Sequence, residues 1–224
     1  MGIVVSYRFL RRAIGLIGSL LPIILPLGFS ISTGQYRLLS SVSSYYNTDM
    51  RNIFVGSMCS VGIFLICYRY RLWDDILSTL AGALAIGIAL CPPVPPNPSK
   101  LASLAGDLHV IFAALFFVTI AGICWFLFPE TDPPEAVPTS QQRVRDTIYR
   151  TCAIIIVAFT ALAAACAFAS QSFVDAYHPL FWCEAIDTFA FGVAWWIKGE
   201  TLFKDPPGAL EVGLEGQAPV PAPA

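Results

Sequence analysis

Six stretches of this chain, near residues 13–32, 51–70, 76–93, 107–128, 147–170 and 179–198, are strongly apolar. An α-helix rises 1.5 Å per residue, so about 20 residues cover the roughly 30 Å of bilayer hydrocarbon. In lipid every backbone donor and acceptor must be met internally, which leaves an isolated apolar segment no choice but helix. The pattern therefore predicts an all-α, polytopic transmembrane bundle of six helices over residues 1–204. Composition agrees, since 56% of residues are hydrophobic, 12% are charged and mean hydropathy is +0.68. Soluble domains carry about a quarter charged residues. The formal net charge of -2 is spread over several loops. With no concentrated basic face, a nucleic-acid partner is excluded. The third stretch is the shortest and the weakest as a span.

Alternating sides of such a bundle carry unequal positive charge. Arg8, Arg11, Arg12, Arg69, Arg71, Arg143, Arg145, Arg150, Lys198 and Lys204 fall on one side; Arg37, Arg51 and Lys100 fall on the other. Cytoplasmic loops are enriched in Lys and Arg, so both termini are expected in the cytoplasm. Arg8, Arg11 and Arg12 before an apolar stretch resemble a signal peptide, but no small-x-small site follows, and the first span reads as an uncleaved helix. The start Met1-Gly2-Ile3-Val4-Val5-Ser6 also fits the short myristoylation pattern.

Pro22 and Pro26 inside the first span predict a bend or loosening there. Gly82, Ala83, Gly87 and Ala89 in the third span, and the alanine-rich run 161–169, predict close helix contacts. The proline-dense segment 91–98 reads as a stiff, polyproline-like spacer. Segment 129–142 and the tail 205–224 have too few large apolar groups to bury and read as disordered. Seven cysteines stand singly with no C-x-x-C pair, as small apolar fillers; a Cys91–Cys183 bridge is the one pairing near the outer face.

Residues 40–56, SSVSSYYNTDMRNIFVG, gather hydrogen-bonding groups at the lip of an apolar stretch. Tyr45 and Tyr46 are expected at headgroup depth, as belt tyrosines are. Asp49, Arg51 and Asn52 stand at the outer mouth of the second span, His109 near the start of the fourth, and Glu184 and Asp187 three apart in the outer half of the sixth. Polar groups inside a span are expensive and need partners, so Arg51 is expected to pair with an outer carboxylate. The two readings are a structural network and an outer cleft that binds a ligand or performs chemistry. In the second, Tyr45, Tyr46, Asp49, Arg51, Asn52, His109 and Glu184 are the binding candidates, and His109, Glu184 and Asp187 the catalytic ones. Two histidines, His109 and His178, make a two-His-plus-carboxylate metal site chemically conceivable, but the spacing is not diagnostic and no metal or other cofactor is expected. No G-x-S-x-G element supports a serine hydrolase.

The run Tyr45 to Asn52, Leu108-His109 with Ala113 and Phe116-Phe117, and Phe181 to Ala185 continuing to Gly192 and Trp195 resemble a group of uncharacterised bacterial six-span membrane proteins, over roughly residues 13–204. More remotely, the histidine-opened fourth span is similar to damage-regulated autophagy modulators and a related GPI-lipid-remodelling factor. The resemblance implies six helices in a bacterial inner (plasma) membrane and work on or beside membrane lipid. The expected function is an integral membrane protein whose outer polar cleft handles a lipid headgroup or other amphiphile. The alternative is an accessory subunit of a larger membrane assembly, with a partner subunit or a second copy against its apolar face. A metal-dependent hydrolase or proton-coupled transporter is weaker, since no internal repeat is visible.

Overall fold

The computed structural model describes residues 7–69, 71–95, 97–129, 139–199 and 202–203. Its elements are α1 (Tyr7–Thr33), a 3-10 turn (Ser43–Asn47), α2 (Arg51–Cys67), α3 (Leu72–Leu90), α4 (Lys100–Gly122), a π-helical extension (Ile123–Leu127), α5 (Ser140–Ala165), a 3-10 turn (Cys166–Phe168), the short α6 (Gln171–Tyr177) and α7 (Pro179–Lys198). There is no strand among the described residues.

The six long helices form a closed ring in chain order: α1 packs on α2, α2 on α3, α3 on α4, α4 on α5, α5 on α7, and α7 returns to α1. Ile14, Leu25, Leu65, Ala85, Ile120, Ile156 and Trp195 fill its centre and are almost fully buried. Outward faces carry Leu16, Ile63, Val110, Leu115, Val157 and Phe189, all exposed. A soluble monomer rarely shows so much contiguous apolar surface, whereas lipid covers it without penalty. Five helices are long and apolar enough to cross a membrane: those containing Arg8–Thr33, Leu72–Leu90, Lys100–Leu127, Ser140–Ala165 and Pro179–Lys198. The chain is an integral membrane protein.

Several expectations shift. The weak segment is the second and not the third: α2 has 17 residues, about 25 Å of helix, while α3 has 19. Helix α4 starts at Lys100, because the Ser99 hydroxyl accepts the Ala102 N–H as a cap, so His109 lies more than two turns inside it. Similarly, Thr139 caps α5 through the Gln142 N–H at 3.0 Å, and helix begins within the segment read as disordered. The tail 205–224 and the centre of 129–142, both read from the sequence as disordered, lie outside the described residues. Helix α1 runs unbroken through Pro22 and Pro26. Cys91 and Cys183 are both free thiols, so no bridge joins them.

Close helix approach rests on glycine. A Cβ on Gly82 would sit 2.5 Å from the Gly62 carbonyl oxygen, which fixes the α2–α3 seam as the small-residue pattern suggests. At the α1–α7 seam, a Cβ on Gly192 would lie 2.5 Å from the Ser19 nitrogen and 2.9 Å from the Gly15 carbonyl oxygen.

The start of α1 and the end of α7 meet at one end of the ring. There Arg11 Nη2 donates to the Tyr68 hydroxyl at 2.7 Å, Arg11 Nη1 to the Lys198 carbonyl at 3.2 Å, and Arg12 Nε to the Gly199 carbonyl at 3.0 Å. Lys198 Nζ donates to the Phe128 carbonyl at 2.8 Å and lies 5.2 Å from the centre of the Phe128 ring. Phe128 directly follows the π-helical extension, whose changed winding delivers its carbonyl and ring to Lys198. Edge-to-face contacts of Trp195 with Tyr68 and Phe128 complete the closure. These charges, counted in the sequence only as topology signals, seal this end of the ring.

Candidate functional site

The opposite, distal end is closed by segment 34–50 and not by helix. The Ser43–Asn47 turn lies against α2 and α1. Tyr45 is fully buried, packs edge-on against Phe29 at 5.7 Å, and its hydroxyl accepts the Leu39 N–H at 3.3 Å. Burial pushes its phenol above the ordinary tyrosine range, so it stays a neutral hydrogen-bonding group. Tyr46 is also buried, edge-on to Phe54 at 6.1 Å. Both tyrosines are therefore core anchors of a folded cover and not members of an interfacial belt. The polar residues of 40–56 satisfy the backbone of this cover, as where Thr48 Oγ1 donates to the Tyr45 carbonyl at 2.7 Å and accepts the Met50 N–H at 3.1 Å.

Glu184 on α7 pins the cover to the bundle. Its carboxylate accepts the Ser43 backbone N–H at 3.0 Å and the Ser43 hydroxyl at 3.3 Å. Two hydrogen bonds thus join residues 141 apart in sequence. His109 on α4 is buried. Its Nδ1 lies 2.6 Å from the Cys91 carbonyl, and because a carbonyl only accepts, Nδ1 carries the proton. The ring stacks on Phe54 at 6.5 Å.

Under the cover lies a cavity of about 70 Å³ between α1, α2, α4 and α7. Ser43, His109, Glu184 and Thr188 are its polar wall; Ile17, Leu21, Phe54, Met58, Val61, Phe116, Phe117 and Phe191 are among its apolar one. Ile17 on α1, Met58 on α2 and Phe117 on α4 are half-buried where they line it. His109 and Glu184, paired in the sequence reading, do line one space.

The other candidates part from them. Asp187 does not line the cavity. It is buried at the α5–α7 seam, where Oδ2 accepts the Thr160 hydroxyl at 3.0 Å and Oδ1 has no partner among the described residues. Asp49, Arg51 and Asn52 are exposed and outside the cavity. The expected pairing of Arg51 with a carboxylate fails: Nη2 donates to the Tyr46 hydroxyl at 3.0 Å and the guanidinium lies 4.7 Å from the centre of that ring, with no ion pair among the described residues. At an exposed position a neighbouring aromatic ring and hydroxyl serve a guanidinium as well as a distant acid does. Among the described residues no three His, Cys, Asp or Glu side chains are placed to hold a metal ion. His109 lines the cavity and His178 a separate groove.

Ser43 and Thr188 were missed. The signal for Ser43 lay in the serine-rich start of the polar run, and for Thr188 in its i+4 spacing from Glu184, to whose carbonyl its hydroxyl donates at 2.6 Å. In comparisons with known proteins, the chain matches no protein-family model, no curated protein and no solved structure.

Proposed function

We propose that this protein crosses the membrane six times, with both termini cytoplasmic, and holds a lipid or other amphiphile in the cavity beneath its distal cover. The observation that carries the reading is the cavity wall itself. A carboxylate, an imidazole and two hydroxyls are gathered on it, and the remaining wall is hydrocarbon and aromatic. That division matches a molecule with one polar and one apolar part, as ligand sites generally combine an apolar lining with a few placed polar groups. A volume of about 70 Å³ suits the junction between a headgroup and its first chain atoms better than a whole headgroup, since one water takes roughly 10–15 Å³ of such space. We place a side entrance from the bilayer beside Met58 and Phe117, which line the cavity and are half-buried.

The sixth span in this topology is α2, which at 17 residues needs local thinning of the bilayer or its flanking polar groups to reach both surfaces. The resemblance to six-span bacterial membrane proteins supports the same count, and the excess of Arg and Lys at the termini's end supports the orientation. In intact cells, a thiol introduced at Asn97 should react with a membrane-impermeant maleimide, and one at Ser140 only after permeabilisation. The reverse pattern inverts the topology.

Bound lipid tests the cavity. In one detergent, His109→Ala and Glu184→Gln are expected to lose most of the lipid that co-purifies with the parent, measured by native mass spectrometry, while His109→Ala still unfolds cooperatively. Parental lipid content in both variants would remove the reading. An accessory-subunit role is the second reading. It is favoured by α5, whose apolar window is only 22% buried and leaves Ile154, Val157 and Leu162 uncovered.

A further inference from the structure

The Ser43–Asn47 turn has two faces, and only one belongs to the cavity. Ser43 faces inward, whereas Ser44 and Asn47 line a second, much larger groove of about 970 Å³ on the distal surface. Arg37, Ser40, Asp175 and His178 complete its polar rim. We propose that this groove is a phosphoester-binding site, independent of the cavity below it.

Charge and donors carry the assignment. Arg37 is exposed and has no ion pair or hydrogen bond among the described residues, so its five N–H donors are available to the groove. The one carboxylate on the rim, Asp175, already has a polar or electrostatic partner. His178 adds its imidazole ring to the lining. It is held at the α6–α7 junction with φ of 46°, a left-handed conformation unusual for a residue with a Cβ. Ser40 and Ser44 hydroxyls, 3.1 Å apart, and the Asn47 amide supply neutral donors beside them. A planar guanidinium flanked by hydroxyls and an imidazole matches the tetrahedral, oxygen-rich surface of a phosphate, which arginine binds in bidentate fashion. In the proposed topology the groove lies at headgroup depth, where a phospholipid and a soluble phosphate ester present the same chemistry.

The test is titration of the purified full chain in dodecyl maltoside with three probes: glycerol 3-phosphate, dioctanoyl phosphatidylglycerol and, as the phosphate-free control, dioctanoylglycerol. Saturable binding of at least one phosphate-bearing probe is expected to depend on Arg37, whereas dioctanoylglycerol, which lacks the phosphate, reaches at most the cavity and its binding is unaltered by Arg37→Gln. Arg37→Gln should weaken binding of the phosphate-bearing probe at least tenfold, while Arg51→Gln, which removes an exposed cation outside the groove, leaves it unchanged. Both variants should keep the parent melting temperature without ligand, which separates lost recognition from lost folding. Equal affinity for glycerol 3-phosphate and the lipid assigns a soluble phosphoester as ligand; binding of the lipid alone assigns a phospholipid headgroup. Absence of saturable binding for both phosphate-bearing probes, or an affinity unaltered by Arg37→Gln, overturns the proposal. Neither outcome bears on the cavity, whose readout is lipid retained through purification.

Discussion

Gly192→Leu is expected to be the most damaging single substitution at a helix seam. Its Cβ alone would meet the Ser19 nitrogen at 2.5 Å and the Gly15 carbonyl oxygen at 2.9 Å, and neither backbone atom can swing aside as a side chain can. Helices α1 and α7 must therefore separate, opening the ring where it closes on itself. Overpacking of this kind costs about 3 kcal/mol or more, and for a chain of this size each kcal/mol lowers the melting temperature by roughly 2–4 °C. A drop of at least about 6 °C in detergent should follow. Gly56→Ala, where a Cβ meets nothing within 4 Å, should leave the melting temperature nearly unchanged. Equal effects from the two would show that the α1–α7 approach is looser than described.

Arg11→Leu is expected to be comparably severe at the termini's end, for a polar reason. The buried guanidinium satisfies the Tyr68 hydroxyl and the Lys198 carbonyl and lies 5.0 Å from the centre of the Tyr68 ring. Leucine removes both hydrogen bonds and the cation–π contact from an enclosed site, at about 1.5–3 kcal/mol for each hydrogen bond to the charged group. Arg11→Lys should recover only part of the loss, because one ammonium cannot reproduce the guanidinium fork. Arg143→Ala, at an exposed position on α5, is the control and should be near neutral. If Arg11→Leu and Arg143→Ala melt alike, Arg11 is only a topology charge.

The helices were legible because lipid forces the issue: a long apolar stretch has no other stable backbone arrangement. Their boundaries were less so. Ser99 and Thr139 extend α4 and α5 backward by capping, a local chemistry that hydropathy averages away. Of the site, His109 and Glu184 were recognisable because polar groups within spans are costly enough to require a reason. Which polar groups share that reason depends on helix rotation. Glu184 and Asp187 are three residues apart, yet one meets the cover and the other Thr160 on α5. Tyr45 and Tyr46 misled because tyrosine at an apolar lip ordinarily marks the interface, and nothing local announces that segment 34–50 folds back over the bundle. The seal made by Arg11, Tyr68, Phe128, Trp195 and Lys198 draws on three helices and a π-helical turn, a coincidence in space that no single window contains.

The central claim is that the space between Ser43, His109 and Glu184 belongs to an amphiphile. An electron cryo-microscopy map of the protein extracted with its native lipid tests this most directly. The account predicts elongated density, its polar end within hydrogen-bonding distance of Glu184 or His109 and its apolar end passing between Met58, Val61 and Phe117 toward the bilayer. A cavity holding only isolated water-sized density, with the wall at Ile17, Met58 and Phe117 closed against lipid, would contradict it.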